Sequence, residues 1–302
     1  MSFCQKIRII GMALIVLCNA MACSIIPNSR SFVIGKDDVT QIRKNKDCRQ
    51  MPPEPAEPIN HQPGISPDRI SILSWNIYKG QREGWQDDLL RLGETSDILF
   101  LQEATLNEEL HAFLGEHNHY WNFNSAFSFI GVESGVLVAA GIPPLESCGM
   151  RQNEPVIGLP KTTLVNIYQM TDSDVKLLVA NIHGINFSLG MGAYRKQIDD
   201  LQAVLRNHVG PIILAGDFNN WSAKRNKVIT NLVNQLNLNQ LAPEEENRTR
   251  VFGDAVDHVM YRQLIPVSHV AHKVSSSDHN PLTATFRYER SESPKNSLTD
   301  VQ

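Results

Sequence analysis

Six short polar blocks, set at the ends of apolar runs, constrain this chain more than any other feature. They are Trp75-Asn76-Ile77, Leu101-Gln102-Glu103, Asn181-Ile182-His183, Gly216-Asp217-Phe218-Asn219, Asp257-His258 and Ser277-Asp278-His279-Asn280-Pro281. Each block alone has an ordinary structural explanation. A carboxylate after an apolar run can cap a helix, a single His can be a hydrogen-bonded structural residue, and D-x-N can be a turn. Six in one chain describe a rigid scaffold whose strand ends deliver polar side chains to one set of loops.

The runs themselves define the scaffold. Residues 70–75, 97–102, 134–140, 163–169, 175–182, 212–215, 255–261 and 282–286 have strand character. Helical spacing occupies 85–97, with Leu89, Leu90 and Leu92 on one side, and recurs over 193–208 and 222–236. Many strands with few helices, and hairpin-like neighbours such as the 163 and 175 runs, predict an α/β fold of two packed sheets flanked by helices.

Chemistry follows from the residue types. Glu103 and Asp278 with the Asn76 amide are hard oxygen donors, suited to Mg2+ or Mn2+; no H-E-x-x-H or C-x-x-C spacing points to zinc. His183 and His279 are the strand-end imidazoles available for proton transfer near neutral pH. Asp217 and Asn219, on one turn, can orient a water and a phosphate oxygen. The set fits metal-assisted hydrolysis of a phosphate ester.

These blocks, in this order, resemble the signature motifs of the endonuclease/exonuclease/phosphatase superfamily, which includes exonuclease III-like nucleases, pancreatic deoxyribonuclease, inositol polyphosphate 5-phosphatases and neutral sphingomyelinases. WNIYK, NIHGINFSLG and GDFNNWS are also similar to a bacterial branch for which the resemblance implies a fold and a chemistry but no substrate. The resemblance implies a four-layer α/β/β/α sandwich of two mostly antiparallel sheets. It implies that Glu103, with Asn76 and Asp278, holds a divalent metal. His279, paired with Asp278 or Asp257, would activate water, Asp217 would position the nucleophile and Asn219 would bind phosphate. His183 would meet the phosphate or the leaving oxygen, with Glu133 orienting it. His258 departs from the aromatic or Arg residue usual beside the late aspartate and is read as structural. The aromatic stretch YWNFNSAFSF reads as core packing, and His117-Asn118-His119 carries no nuclease motif.

The flanks carry a different message. Lys6 and Arg8, the apolar run 9–18 and the A-x-A site at 20–22 read as a signal peptide over residues 1–22. Cys23 follows directly and is a lipidation candidate, although Ala20 stands where lipoprotein signals carry Leu. Envelope lipoprotein and periplasmic or secreted protein both fit. Residues 23–67, with six prolines between Pro52 and Pro67, read as an extended linker, and 291–302 as a polar tail, leaving 68–290 as one domain. In an exported chain Cys48 and Cys148 can pair, or remain free thiols.

The whole chain carries 28 Lys and Arg against 32 Asp and Glu, and residues 68–290 carry 19 against 25, a balance of −6. A protein that grips many nucleic-acid phosphates needs a surplus of cations. The expected function is therefore an exported, divalent-metal-dependent phosphoesterase, most simply a phosphodiesterase. A secreted nuclease, and a non-catalytic envelope-anchored binding module of the same fold, are the alternatives. Lipid, inositol phosphate and nucleic acid remain open as substrates. Membrane contact is expected through a lipidated Cys23, and no obligate protein partner is inferred.

Overall fold

The computed structural model describes residues 24–25, 31–36, 39–45, 47–51, 63–117 and 119–288. The signal peptide, Cys23, most of the Pro-rich segment, Asn118 and the polar tail lie outside the described residues. The chain opens with β1 (Ser24–Ile25), β2 (Ser31–Lys36) and β3 (Val39–Lys44), then enters the body with β4 (Ile70–Asn76), α1 (Trp85–Gly93), β5 (Ile98–Thr105), α2 (Glu108–Glu116), β6 (Tyr120–Phe129) and β7 (Val132–Ala140). A second half follows: β8 (Glu146–Asn153), β9 (Pro160–Gln169), β10 (Lys176–His183), α3 (Gly192–Leu205), β11 (Ile212–Asp217), α4 (Ala223–Leu236) and β12 (Asn239–Gln240). A small ribbon, β13 (Arg250–Val251) and β14 (Asp254–Ala255), precedes β15 (Asp257–Arg262), β16 (Ile265–Ala271) and β17 (Leu282–Arg287).

Two sheets result. The first runs β16-β17-β4-β5-β7-β6-β2-β3, and the second β12-β15-β11-β10-β9-β8. Each has one parallel pair, β4 with β5 and β10 with β11, in an otherwise antiparallel order. Period-two alternation in the strands decides the layers. In β4, Ile70 and Ile72 face the other sheet while Leu73 and Trp75 face α1; in β10, Leu177 and Val179 face inward while Leu178, Ala180 and Ile182 meet α3 and α4. Three apolar clusters thus separate helices, sheet, sheet and helices, the four-layer sandwich that the sequence predicts.

Helix α2 escapes the periodicity reading because it is short, but Asn107 caps it by accepting from Leu110 N at 3.0 Å. The segment read as a linker differs more. Residues 31–36 and 39–44 pair antiparallel and add β2 and β3 to the edge of the first sheet, Val33 to Lys36 pairing with Phe123 to Tyr120. Backbone pairing with β6, rather than an apolar periodicity of its own, places it there.

The β2–β3 pair is fastened from below. Cys48 and Cys148 form a disulfide with Cα atoms 5.4 Å apart, and the Asn45 amide bonds Gly149 in both directions, Nδ2 donating to its carbonyl at 2.6 Å and Oδ1 accepting its N–H at 2.9 Å. A cleft of about 320 Å³ opens between that pair, Tyr120 and Leu145 to Ser147. It lies where β6 begins and β7 ends, opposite the ends that carry the motif residues, and is distinct from the site described below.

Closing a loop of 100 residues stabilises the fold by about 4–5 kcal/mol in the chain-entropy account. Reduction, or the Cys48→Ser/Cys148→Ser double variant, is expected to lower Tm by roughly 10 °C; an unchanged Tm in thermal unfolding would refute this. Burial also lowers His119 and His208 from 6.5 to about 4, and each keeps a buried Nδ1 without a hydrogen-bond partner. The unfolded chain therefore binds more protons than the folded one between those values, so stability falls as pH drops from about 6.5 toward 4 and is fully present above. Tm measured from pH 7 to 4.5 should decline, and His208→Gln should flatten part of that slope.

Candidate active site

The parallel pairs bring the first motif residues together. β4 and β5 run side by side with Asn76 opposite Gln102, and β10 and β11 end with His183 opposite Asp217. Between the sheets, Gln102 Nε2 donates to Asn181 Oδ1 at 2.8 Å, and Asn181 Nδ2 donates to the carbonyls of Leu101 and Leu137 at 2.9 and 2.8 Å. Glu103, the residue after Gln102, and His183, the second after Asn181, are carried to one mouth. His183 Nε2 lies 3.8 Å from Glu103 Oε1 and 3.5 Å from Asp217 Oδ2.

Local backbone is bent to achieve this. Glu103 sits in the left-handed region, φ 47°, where the β5–β7 register slips between Leu101 and Ala104. Such a bulge re-aims a side chain, and a non-glycine residue held there is a marker of function. Asn219 is similar at φ 48°. Gly216 has φ 141°, and a Cβ there would stand 2.0 Å from the Ile182 carbonyl oxygen, so the tight β10–β11 approach requires glycine.

Asp217 is the hub. Asn76 Nδ2 donates to its Oδ2 at 3.3 Å and Asn219 Nδ2 at 3.0 Å, while Asn219 N donates to Oδ1 at 2.9 Å. Asn219 Nδ2 also reaches the Gly184 carbonyl at 3.2 Å, so this amide braces the turn as well as facing the site. His279 Nε2 lies 4.0 Å from Asp217 Oδ2, and its Nδ1 is held by Asp257 Oδ2 at 2.8 Å. Trp75 Nε1 donates to the His279 carbonyl at 2.9 Å and Ser277 Oγ to the Asn76 carbonyl at 2.7 Å, tying the last motif to the first.

The electrostatics divide the histidines. Burial would lower His279, but Asp257, Asp217 and Asp278 outweigh it and hold its proton affinity well above the ordinary imidazole value. Burial and the positive charges of Lys161, His279 and Lys79 keep His183 neutral. Burial raises Asp217, with Asp257 adding to it.

Sequence reasoning missed Lys161. Its Nζ donates to His183 Nε2 at 2.7 Å, the nitrogen that also faces Glu103 and Asp217, whereas the orienting partner expected for this histidine was Glu133. Glu133 instead sits at the start of β7, half-buried, with Arg151 as its charged neighbour, and makes no described hydrogen bond to His183. Lys161 is invisible in the chain because only the antiparallel β9–β10 pairing carries its end to His183. Glu154 was missed for the same reason; it is buried and accepts the Asn186 and Phe187 amides at 2.6 and 2.5 Å. His258 is structural as expected: Asn220 Oδ1 and the Ala255 carbonyl lie 3.0 Å from its Nε2, and burial lowers it to about 4.

Two groups could hold a divalent cation. Asp217, Asp257 and His279 offer ligand atoms within 4.8 Å of one another, but His279 Nδ1 is already engaged by Asp257. Asn76 and Glu103 offer oxygens alone, although Asn76 Oδ1 also accepts from Tyr78 N at 3.1 Å, and Glu103 draws the Lys79 ammonium onto its Oε2. That demand for positive charge, with a hard donor set, makes the second group the better fit. Asp278 is exposed, and no described hydrogen bond joins it to Glu103 or Asn76.

The family model described as "Endonuclease/Exonuclease/phosphatase family" matches residues 73–279. The chain belongs to this family. Among its relatives is a UPF0294 protein of Vibrio campbellii, 38% identical over 218 residues that cover 72% of this chain and 77% of that protein. The fold is similar to the human Nocturnin catalytic domain solved with a bound sulfate anion, with TM-score 0.57 and 18% identity, covering 75% of this chain and 96% of that one. It is also similar to a mannosyl-6-phosphatase of Bacteroides thetaiotaomicron, with TM-score 0.52 and 17% identity, covering 72% and 100%. Members of the endonuclease/exonuclease/phosphatase family are phosphoester-cleaving hydrolases, and membership supports that class here.

Behind the site, buried Arg225 donates to the carbonyls of Ile185, Asn219 and Asn186 at 2.7, 2.6 and 2.8 Å and to Ser188 Oγ at 3.1 Å. It joins the loop after His183 to the Asn219 turn. Arg225→Met leaves those acceptors buried without a donor, and urea unfolding is expected to show a loss of about 3 kcal/mol. A loss under ~1 kcal/mol would contradict this role.

Proposed function

We propose that the protein is a divalent-cation-dependent phosphodiesterase that works outside the cytoplasm. The observation that carries this reading is Asp217 Oδ2 set 3.5 Å from His183 Nε2 and 4.0 Å from His279 Nε2, with each imidazole fixed by its own partner, Lys161 or Asp257. Two differently tuned histidines on either side of one carboxylate suit a reaction that takes a proton from one oxygen and returns it to another.

Water held between Asp217 Oδ2 and His279 Nε2 is the nucleophile. Asp217 Oδ2, which burial makes more basic than an ordinary carboxylate, draws a proton from that water as it adds to phosphorus, while the carboxylates around His279 keep its ring charged so that Nε2–H orients the water. The Lys161 ammonium, hydrogen-bonded to the neutral His183, faces the opposite side, where its charge offsets that on the phosphoryl and leaving oxygens. One P–O ester bond breaks, the leaving oxygen takes up a proton, and a phosphomonoester and an alcohol result. A cation held by Glu103 and Asn76 would supply further positive charge to a phosphoryl oxygen.

Export is supported by the signal-like residues 1–22 and by the Cys48–Cys148 bond, which persists in oxidising compartments. The acidic balance of residues 68–290 disfavours a nuclease, and a complete set of site residues disfavours a binding module without turnover. Purified protein assayed on bis(4-nitrophenyl) phosphate with Mg2+ or Mn2+ is expected to turn over and to stop with EDTA. His279→Ala and Asp217→Asn should each cost roughly 10²–10⁴-fold in kcat. No metal-dependent hydrolysis of any phosphoester, or full activity in both variants, would end this reading.

A further inference from the structure

The mouth of the site is ringed by apolar tips. Ile130, at the β6–β7 turn, is 80% exposed, Leu189 in the loop after His183 is 90% exposed, and Phe252 on the β13–β14 turn is 87% exposed. Val156, Ile157 and Phe187 are exposed on the neighbouring loops. Topology places all of them at one end of the sandwich. The β6–β7 hairpin runs past Ser134, which pairs with Thr105 just beyond Glu103. Loop 154–159 joins Asn153 to Pro160 at the end of β9 that meets the His183 end of β10. The Phe252 ring packs edge-on against Trp221, 5.7 Å away, just after Asn219. Large side chains left in water on several separate loops around one polar centre are costly to expose and mark an interaction surface.

The first described residues lie at the same end. Ser24 pairs with Phe129, the residue before Ile130, and Cys23 precedes Ser24 by one peptide bond. A lipid chain on Cys23 would therefore leave the protein beside the hairpin tip, on the side where the site opens. A protein partner seated on these tips would cover the site, and a water-soluble ester would have no use for them. With residues 68–290 at −6, attraction to an anionic surface is also weak, so contact has to come from apolar insertion.

We propose that this end is the membrane-facing surface and that the substrate class is the phosphodiester of a phospholipid, reached with the tips set into the headgroup region of the bilayer. Ile130, Leu189 and Phe252 enter the boundary between headgroups and acyl chains, where short apolar insertions of ~5–10 Å are stable. The lipid phosphate then stands at the depth of Asp217 and Lys161 while its acyl chains stay in the bilayer. This deepens the phosphodiesterase reading and rests on it: water adds to the lipid phosphorus, one P–O bond breaks, and the proton goes to the departing alcohol.

The test uses the full chain carrying Cys23→Ser, so that no acyl anchor contributes, in flotation with phosphatidylcholine vesicles. The protein is expected to float, and the Ile130→Ser/Leu189→Ser/Phe252→Ser variant to lose at least tenfold in vesicle partition and in hydrolysis of vesicle phospholipid. Its turnover of bis(4-nitrophenyl) phosphate should be unchanged. Val267→Ser, an exposed apolar residue on the edge strand β16, should leave both properties unaltered. Failure to float, equal partition of the triple variant, or turnover of the soluble ester with no hydrolysis of vesicle phospholipid would each overturn the proposal while leaving the phosphodiesterase reading intact. Flotation without hydrolysis of any ester would instead overturn that underlying reading.

Discussion

The hydrogen bond between Gln102 and Asn181 sets the relation of the two sheets. The interior between them is built mainly of Ile, Val, Leu, Ala and Phe, which accept many sliding offsets at similar cost. Asn181 ends that freedom because its amide also bonds the Leu101 and Leu137 carbonyls, so any other offset strands buried polar groups. Asn124, donating to the carbonyls of Met150 and Thr163, repeats the constraint two strands away. The chemistry depends on this offset, since Asn76 and Glu103 belong to one sheet and Lys161, His183 and Asp217 to the other.

Charge is organised around that seam. Lys161 and Lys79 bring positive charge to His183 and Glu103, while Asp257 brings negative charge to His279. In a buried setting such pairs are tolerated only when each has its partner, which explains why Asp217 is surrounded by amide donors as well. The left-handed backbone at Glu103 and Asn219 is the local strain that holds two of these side chains in place.

Much of this was legible in the chain. The alternating apolar runs gave β4, β5, β7, β9, β10, β11 and β17, and the polar blocks that end β4, β5, β10 and β11 located Asn76, Glu103, His183 and Asp217 because a strand end needs only local sequence to be recognised. What sequence hid depends on pairing. Lys161 follows a proline at the start of a strand and looks like any solvated lysine until β9 is laid against β10. Arg225 looks like surface decoration at a helix start, yet it is buried under Tyr194 and Trp221. The β2–β3 pair has no strong apolar period because its outer strand, β3, is fully exposed. Glu133 was assigned by motif position alone, and one turn of hairpin geometry sends it toward Arg151.

The Cys48–Cys148 bond divides the polypeptide into a covalent ring and an open remainder. Asn76 and Glu103 lie within the ring; Lys161, His183, Asp217, Asp257 and His279 lie outside it. The bond thus joins the segment that follows β3, at the edge of the first sheet, to β8, at the edge of the second, by a route that does not run along the backbone. A protease that cut the Pro-rich segment after Met51 would open the ring without releasing a fragment, and the residues before the cut would stay attached beside β8. Whatever the residues before the cut carry stays covalently joined to the sheets after such a cut.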